Sequence, residues 1–228
     1  MITDIPVIAI DGPSGAGKGT VAQILAKRLD FHLLDSGAVY RAAGLHALKS
    51  GADLDDESSV IASLASMQAE FTPTAAGVQV QLDGDDVTLE LRSESTAAAA
   101  SKVAVMAQVR ASLLDEQRSF RVAPGLVADG RDMGSAVFPD ADLKVFLSAS
   151  ARVRAERRAR QLKEKGVQVN MESLIQDIAA RDERDSSREH SPLIAATDAL
   201  IIDSSSLSIE SVVEQILSAF HASVGETT

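Results

Sequence analysis

A stretch of nine residues, Gly12 to Thr20, constrains this chain more than any other part of its sequence. It reads G-x-x-x-x-G-K, and it then places Gly19 and a threonine hydroxyl after the lysine. The run before it, residues 5–11, is mostly apolar and β-branched, and the residues after it repeat apolar side chains at helical spacing. A glycine-rich turn between a strand and a helix lets backbone N–H groups converge on an anion at the helix N-terminus. The sequence therefore predicts a phosphate-binding loop.

We expect every residue of this loop to contact the phosphates of a nucleotide: Gly12, Pro13, Ser14, Gly15, Ala16, Gly17, Lys18, Gly19 and Thr20. Lys18 would supply a mobile point charge for the β- and γ-phosphates. A plain glycine-rich turn with a surface lysine is the alternative, but it leaves the agreement of strand, spacing, lysine and helix unexplained. Loops of this type usually place Ser or Thr directly after the lysine as a Mg²⁺ ligand, whereas this chain has Gly19 there. We therefore expect the metal to contact Thr20 or to be held largely through water.

Length and composition limit the other possibilities. The chain has 228 residues, 45% of them hydrophobic, which is enough for one large α/β domain. It has no Cys, so we expect no disulfide, thiol catalysis or Cys-ligated metal. It shows no basic leader and no stretch of membrane-spanning length, so we expect a cytoplasmic protein without a membrane partner. A net charge of −11 opposes a general nucleic-acid-binding role, so an anionic ligand requires a local basic patch.

Strand and helix patterns alternate along most of the chain. Short apolar runs typical of buried parallel strands occupy residues 5–11, 31–34, 126–129, 143–147 and 199–203. The alternation predicts an α/β fold with a five-stranded parallel sheet and helices on both faces. Residues 71–92 differ, because apolar residues alternate at 78–82 and again at 87–91, on either side of Asp83-Gly84-Asp85. This pattern predicts a β-hairpin in an inserted subdomain.

A strongly basic segment follows the fourth predicted strand. Residues 152–165 contain seven cations with only Glu156 and Glu164 between them. A solvated helix with ion pairs four residues apart explains part of this excess. A flexible lid that closes over nucleotide phosphates explains it better. We therefore expect one domain over residues 1–228, with its core at 1–35, 123–151 and 169–228, an acceptor-binding insertion at 36–122, and a lid at 152–168.

Polar residues at the ends of predicted strands are candidates for the site, because ligands bind at that edge of such sheets. Asp129 ends an apolar strand and is a candidate for holding Mg²⁺ or its waters, and Arg131 and Asp132 follow it. Ser36 begins a predicted helix, where it can cap the helix, contact a phosphate, or both. Arg41 stands alone among apolar residues, which favours a specific anion. Three more charged residues share one face of a later predicted helix, as a binding site or a salt-bridge stripe: Arg181, Asp185 and Arg188.

Taken together, these residues resemble the bacterial cytidylate kinases, a family of nucleoside monophosphate kinases. The matching segments cover residues 10–20, 34–41, 128–134, 137–141, 181–188 and 203–209, and so extend over nearly the whole chain. Many kinases share the loop, but Asp35-Ser36-Gly37 combined with residues 129–134, Asp-Gly-Arg-Asp-Met-Gly, is more specific to this family. The hairpin insertion also resembles this family rather than the shorter adenylate kinases.

The resemblance implies an enzyme that transfers the γ-phosphoryl group of ATP to CMP or dCMP, with Mg²⁺, and we expect it to act as a monomer. The resemblance also implies roles for residues at matching positions. Arg41 and Arg131 would hold the acceptor phosphate, with Ser36 nearby, and Ser101, Arg110 and Asp132 would read cytosine. Arg181 and Asp185 would contact the ribose region, Arg188 would lie near both substrates, and Arg157 would cover ATP. Lys18, Asp129, Arg131 and Arg188 would carry catalysis. No residue stands out as a general base, so catalysis would rest on alignment and charge neutralisation.

Two other functions stay open at this point. One is phosphorylation of a different small acceptor, either another nucleotide or a metabolite alcohol. The other is a GTP-driven switch, which requires a guanine-reading Asn-Lys-x-Asp sequence that this chain lacks.

Overall fold

The computed structural model describes residues 5–74, 77–164, 168–187 and 191–225. The strands are β1 Val7–Asp11, β2 His32–Asp35, β3 Ala69–Thr74, β4 Gly77–Leu82, β5 Asp85–Asp86, β6 Leu126–Gly130, β7 Leu143–Ser148 and β8 Leu200–Asp203. The helices are α1 Lys18–Leu29, α2 Ser36–Lys49, α3 Glu57–Leu64, α4 Glu94–Val103, α5 Ala107–Ser119, α6 Ala151–Glu164, α7 Met171–Ser186 and α8 Ile209–Gly225. These elements form two compact units, one of residues 33–120 and one of the chain on either side of it. The bounds predicted for the insertion, 36–122, differ by two or three residues from the bounds of the first unit, 33–120.

The larger sheet has five strands in the order β2-β6-β1-β7-β8. Strand β1 runs parallel to both β6 and β7, and all five of its residues are buried, which accounts for its continuous apolar sequence. The register places Asp11 opposite Gly130, so the chain leaves β1 and β6 at the same edge. The predicted five-stranded parallel sheet is confirmed. Its topology brings the glycine-rich loop and the segment after β6 together.

Helices α1 and α8 pack together beside this sheet. Helix α1 buries Val21 and Leu25, which are four residues apart, and α8 buries Ile216 and Phe220 at the same spacing. Phe220 also meets Phe31 edge to face, with ring centroids 5.8 Å apart. The helix that begins at Lys18 is therefore fixed by its apolar face. No helix in the described part of the chain is long and apolar enough to cross a membrane.

The unit of residues 33–120 has its own three-stranded sheet, in the order β3-β4-β5, and the helices α2 to α5. Part of its core is an apolar cluster of Ala42, Leu45, Val80, Leu82, Val87 and Leu91. Helices α2 and α4 pack closely, because a Cβ added at Gly44 would lie 2.7 Å from the backbone nitrogen of Ala100. Helix α5 follows α4 after a short turn at residues 104–106.

The predicted β-hairpin is present at its turn, where β4 pairs antiparallel with β5 through Gln81 with Asp86 and Leu82 with Asp85, but its second strand is much shorter than predicted. Strand β4 pairs with β3, which precedes it, and β5 extends only over Asp85–Asp86. The next residues form a helical turn, in which the Leu91 N–H donates to the Val87 carbonyl at 2.9 Å. Val87 and Leu91 are buried, whereas Leu89 is 83% exposed. A strand would place all three side chains on one face, but a helical turn places the middle one opposite the other two.

Candidate active site

The glycine-rich loop connects β1 to α1 through backbone conformations that favour glycine. Gly12, Gly15 and Gly17 have φ values of 148°, 80° and 100°. A Cβ at Gly12 would lie 2.0 Å from the carbonyl oxygen of Leu147 in β7, so no larger residue fits there. Gly17 occupies the N-cap position of α1, so no capping side chain competes with an anion for the positive end of that helix.

Lys18 is the first residue of α1, and its side chain is only 6% exposed. Its Nζ donates to the carbonyl oxygen of Pro13 at 3.2 Å and lies 3.5 Å from Oδ1 of Asp129. Burial, and next the charge of Arg131, lowers the pKa of Lys18 to about 8, although Asp129 and Asp11 act in the opposite direction. The fold therefore holds this cation at the loop and largely out of water.

Asp129, the predicted metal carboxylate, lies near the end of β6 with its side chain 13% exposed. A Cβ at Gly19 would lie 3.4 Å from its Oδ2, so the glycine leaves the space beside the carboxylate free of a side chain. The described residues contain no group of three or more His, Cys, Asp or Glu that could hold a metal. One carboxylate suits Mg²⁺, which keeps several waters and binds phosphate oxygens. Thr20 is exposed in the first turn of α1, and its role as a ligand stays a prediction.

Asp11 is a residue of this region that sequence reasoning missed. Its two carboxylate oxygens accept from the backbone N–H groups of Met133 and Gly134, at 2.7 and 2.8 Å. Burial raises the pKa of Asp11 to about 6, and the charge of Asp132 adds to that effect against the two hydrogen bonds. Asp11 thus ties the end of β1 to the turn that follows Arg131 and Asp132. Its place at the end of a buried strand was the available signal, the same signal that indicated Asp129.

Arg131 and Asp185 come together although 54 residues separate them. Nε of Arg131 donates to Oδ2 of Asp185 at 2.9 Å, and Nη1 donates to the Gly130 carbonyl at 3.1 Å. Asp185 lies on α7 one turn after Arg181, and its side chain is only 2% exposed. Asp132 is 3% exposed. The ion pair thus connects Arg131, a predicted phosphate ligand, with Asp185, a predicted ribose contact. Arg188 lies outside the described residues.

Helix α6, the first part of the predicted lid, is bonded to the loop. Nη1 of Arg157 donates to the Ala16 carbonyl at 3.0 Å, and Nη2 donates to the Ser204 carbonyl at 2.7 Å. Arg154, one turn earlier, is 4% exposed and donates to the Ser14 carbonyl at 3.1 Å. Sequence reasoning counted both arginines among lid cations and assigned no such contact to either. The contact of Arg157 with ATP stays a prediction.

Four predicted acceptor residues lie in the unit of residues 33–120: Ser36 and Arg41 on α2, Ser101 on α4, and Arg110 on α5. The N-cap of α2 is Asp35, whose carboxylate accepts from the Ala38 N–H at 3.0 Å. Ser36 therefore does not cap the helix, and its hydroxyl donates to Oε1 of Gln117 at 2.8 Å. Gln117 is 1% exposed and is a second residue that sequence reasoning missed.

The other acceptor residues of this unit have polar atoms consistent with a ligand. Oγ of Ser101 is buried and has no hydrogen-bond partner within the described residues. Arg41 is half-buried, and none of its contacts with the described part of the chain is a hydrogen bond or an ion pair. The Arg110 guanidinium lies 5.6 Å from the ring centroid of Tyr40, and its Nη1 donates to the Ala104 carbonyl. An anion for Arg41 and a hydrogen-bonding group for Ser101 would complete these two side chains.

Comparisons with known proteins give a consistent result. The sequence model of the family described as cytidylate kinase matches residues 8–222. A curated cytidylate kinase from Proteus mirabilis is 52% identical over 217 residues, which is 95% of this chain and 96% of that protein. The cytidylate kinase of Klebsiella pneumoniae is 51% identical over 217 residues, with the same coverage of 95% and 96%. That of Vibrio vulnificus is 48% identical over 226 residues, or 99% of this chain and 100% of that protein.

Proposed function

The chain belongs to the cytidylate kinase family, and from that premise we propose that it transfers the γ-phosphoryl group of ATP to CMP or dCMP, giving CDP or dCDP and ADP. One observation supports phosphoryl transfer above the others. A buried lysine, Lys18, lies at the start of the helix that follows the loop, 3.5 Å from the strand-end carboxylate Asp129. The cytidine acceptor comes from the names of the relatives. We also propose that the enzyme works in the cytoplasm as a monomer, without a nucleic-acid or membrane partner.

In this proposal the chain acts on ATP by position and charge. The loop amides and the N-terminus of α1 bind the phosphates, and the Lys18 ammonium neutralises charge that develops during transfer. Arg131, whose charge reaches Lys18, extends this positive region towards the acceptor. Asp129 is the residue that would hold Mg²⁺ through water, and the metal would supply further neutralisation of the phosphate charge. The acceptor phosphate is already a nucleophile, so no side chain has to act as a general base.

Acceptor recognition is divided among the remaining predicted residues. Arg41 and Arg131 would bind the phosphate of CMP, with Ser36 nearby, because guanidinium groups pair well with phosphate oxygens. Asp132 is a buried carboxylate that accepts hydrogen bonds, as the amino group of cytosine requires. The buried hydroxyl of Ser101 supports the same assignment, since a base would supply the partner that the described residues do not. The remaining assignments, Arg110 to the base, Arg181 and Asp185 to the ribose region and Arg188 to both substrates, stay with this proposal.

Release of ADP with CMP, dCMP, UMP and AMP offered in parallel tests the proposal. We expect turnover with CMP and dCMP to exceed that with UMP and AMP by orders of magnitude, because mismatched buried polar groups are rejected strongly. Faster turnover with AMP or UMP would assign a different nucleotide acceptor. ADP release that no nucleotide accelerates would favour a metabolite alcohol.

A further inference from the structure

Two arginines of helix α6 contact backbone carbonyl groups of the phosphate-binding loop. Arg154 and Arg157 are three residues apart, so their side chains share one face of the helix. Gly15 allows this approach, because a Cβ there would lie 3.2 Å from the Cβ of Arg154. The two arginines donate to different loop carbonyls, those of Ser14 and Ala16. Each therefore contacts a separate peptide group of the loop.

The guanidinium of Arg154 is almost fully occupied by protein acceptors. Nε donates to the Ala149 carbonyl at 2.9 Å, and Nη1 donates both to the Ser14 carbonyl at 3.1 Å and to Oδ1 of Asp182 at 2.9 Å. Nη2 donates to the second carboxylate oxygen of Asp182. These four hydrogen bonds fix the orientation of the guanidinium, which has five N–H groups. Buried at 4% exposure, Arg154 is thus committed to the loop backbone and to α7.

The Ala16 carbonyl is held from two sides. It accepts from Nη1 of Arg157 at 3.0 Å, and it shares the single hydrogen of the Ser204 hydroxyl with the Ser148 carbonyl, since Oγ lies 3.0 Å from both carbonyl oxygens. Ser204 is 1% exposed, and its carbonyl accepts from Nη2 of Arg157 at 2.7 Å. The side chains that fix this peptide group therefore come from α6 and from the turn after β8.

Peptide geometry connects these contacts with phosphate binding. In a planar trans peptide the C=O and N–H bonds point in opposite directions. The Ser14 carbonyl shares its peptide with the Gly15 N–H, and the Ala16 carbonyl shares its peptide with the Gly17 N–H. A carbonyl held towards α6 turns its N–H group away from α6. We propose that Arg154 and Arg157 are positioning residues, which hold the Ser14 and Ala16 carbonyls so that the Gly15 and Gly17 amides face the phosphates of ATP. This inference rests on the proposed function for the identity of the nucleotide.

The experiment compares Arg154→Lys and Arg157→Lys with the parent protein, because lysine keeps the charge but cannot reproduce the planar set of donors. Arg121→Lys is the matched control. Arg121 also donates to a backbone carbonyl, that of Ile5 at 2.9 Å, and to a carboxylate, that of Asp140 at 2.7 Å, but away from the loop. We expect each of the two α6 variants to raise the KM for ATP at least about tenfold, while the KM for CMP stays within about twofold. We expect the Arg121→Lys control to change neither constant.

Amide NMR separates positioning from general stability. In the parent protein, the imido analogue of ATP should shift the Gly15 and Gly17 amide resonances. Arg154→Lys should reduce the Gly15 shift and spare that of Gly17, and Arg157→Lys should do the reverse. If a lysine variant does not fold, Asp182→Asn replaces the Arg154 variant and Ser204→Ala replaces the Arg157 variant, with the same expected shifts.

The outcomes distinguish this inference from the proposed function. A lower Tm with an unchanged KM for ATP and unchanged Gly15 and Gly17 shifts would make both arginines purely structural and overturn the inference. An equal rise in the KM for CMP would also overturn it. A parent protein that fails to phosphorylate CMP would contradict the proposed function alone, because the nucleotide-induced amide shifts would still test the inference.

Discussion

At the scale of single residues, Lys18 carries a charge that the fold has largely removed from water. A lysine whose pKa is lowered binds its proton less tightly in the folded chain than in the unfolded chain. Its charge therefore costs stability at neutral pH, and this cost is relieved as the pH rises from about 8 towards 10.5. The phosphates of a nucleotide would supply the counter-charge that the apo protein provides only in part. A site can carry such a cost because the whole fold supports it.

The pKa of Lys18 predicts the pH dependence of nucleotide capture. Phosphate attraction requires the protonated ammonium, and its fraction falls as the pH rises through about 8. We expect kcat/KM for ATP to decline over that range, measured with CMP saturating. Lys18→Arg should show lower activity but no decline, because guanidinium stays charged. A parental profile that is flat up to about pH 9.5 would contradict the lowered pKa.

Lys18→Ala should remove turnover without removing stability. We expect kcat to fall by about 10²–10³-fold, as for the loss of other preorganised charges that act on the transition state. Because the buried charge costs stability at pH 7, the Tm should stay within about 2 °C of the parent value or rise. Coupled ADP release and calorimetry measure the two quantities. Lys49→Ala, which removes an exposed lysine paired with Glu90 at 2.8 Å, is the control and should retain activity.

Asp132→Asn tests how the base is chosen. Cytosine presents an amino donor at C4, whereas uracil presents an oxygen acceptor there, and a carboxylate only accepts. Asparagine keeps the shape but adds a donor that can meet the uracil oxygen. Since each mismatched buried group costs about 1–3 kcal/mol, we expect kcat/KM for CMP to fall and the CMP-to-UMP ratio to narrow at least about tenfold.

The control for this substitution is Asp198→Asn, which alters a carboxylate paired with Lys144 outside the site and should leave the ratio unchanged. An equal loss on both substrates in Asp132→Asn would assign Asp132 to catalysis or folding instead of base reading.

The sequence alone identified residues that a glycine-rich spacing or a position at the end of an apolar strand distinguishes. The glycines of the loop and Asp129 at the end of β6 belong to this class. Asp11 has the same strand-end signal as Asp129, but the sequence does not show that its partner is Met133, 122 residues away. Arg154 was missed because its contact with the loop, at Ser14, is 140 residues away. The pattern of a single sequence shows how residues are spaced within one helix or strand. It does not show which distant backbone group a side chain will contact.

At the scale of elements, the sheet could be predicted and the inserted subdomain could be predicted only in part. Buried parallel strands have long apolar runs, so β1, β6 and β7 stood out. Strand β3 did not, because its sequence contains Pro73, which is rare within strands, and its apolar residues do not alternate cleanly. Three apolar residues at positions 87, 89 and 91 fit a strand as well as a helical turn. Only the structure distinguishes the two, because it buries Val87 and Leu91 and exposes Leu89.

Gly44→Ala should weaken the contact between α2 and α4. Alanine in a helix interior gains about 1 kcal/mol over glycine, but here its Cβ would lie 2.7 Å from Ala100 N and 2.9 Å from Ala99 C. Backbone atoms cannot rotate away, so the helices must separate at a cost of about 1–3 kcal/mol. We expect a lower free energy of unfolding in denaturant titrations. Gly225→Ala, where a Cβ meets nothing within 4 Å, should cause no loss, and equal stability of both variants would contradict the close packing.

At the scale of the whole molecule, the predicted functions are divided between two compact units. The loop, Lys18 and the residues that hold the loop all belong to the unit outside residues 33–120, whereas Ser36, Arg41, Ser101 and Arg110 belong to the unit within it. Each unit has its own apolar core. In the proposed function, ATP recognition therefore belongs to the unit outside residues 33–120, whereas acceptor recognition is shared, because Arg131, Asp132 and Asp185 also lie outside residues 33–120.

Leu82→Ala and Ile216→Ala test this division with a matched pair of core substitutions. Leu82 is 2% exposed in the core of residues 33–120, and Ile216 is 0% exposed in α8. Each should lower the free energy of unfolding by about 2–5 kcal/mol. Because effects at sites without shared contacts stay independent, Leu82→Ala should raise the KM for CMP and leave the KM for ATP within about twofold. Ile216→Ala should raise the KM for ATP, and it should raise the KM for CMP as well, because Arg131 and Asp132 belong to the same unit as Ile216. Measured well below the melting transition, a rise in the KM for ATP alone in Leu82→Ala would show that donor binding depends on the core of residues 33–120, and the assignment of ATP recognition to the other unit would be wrong.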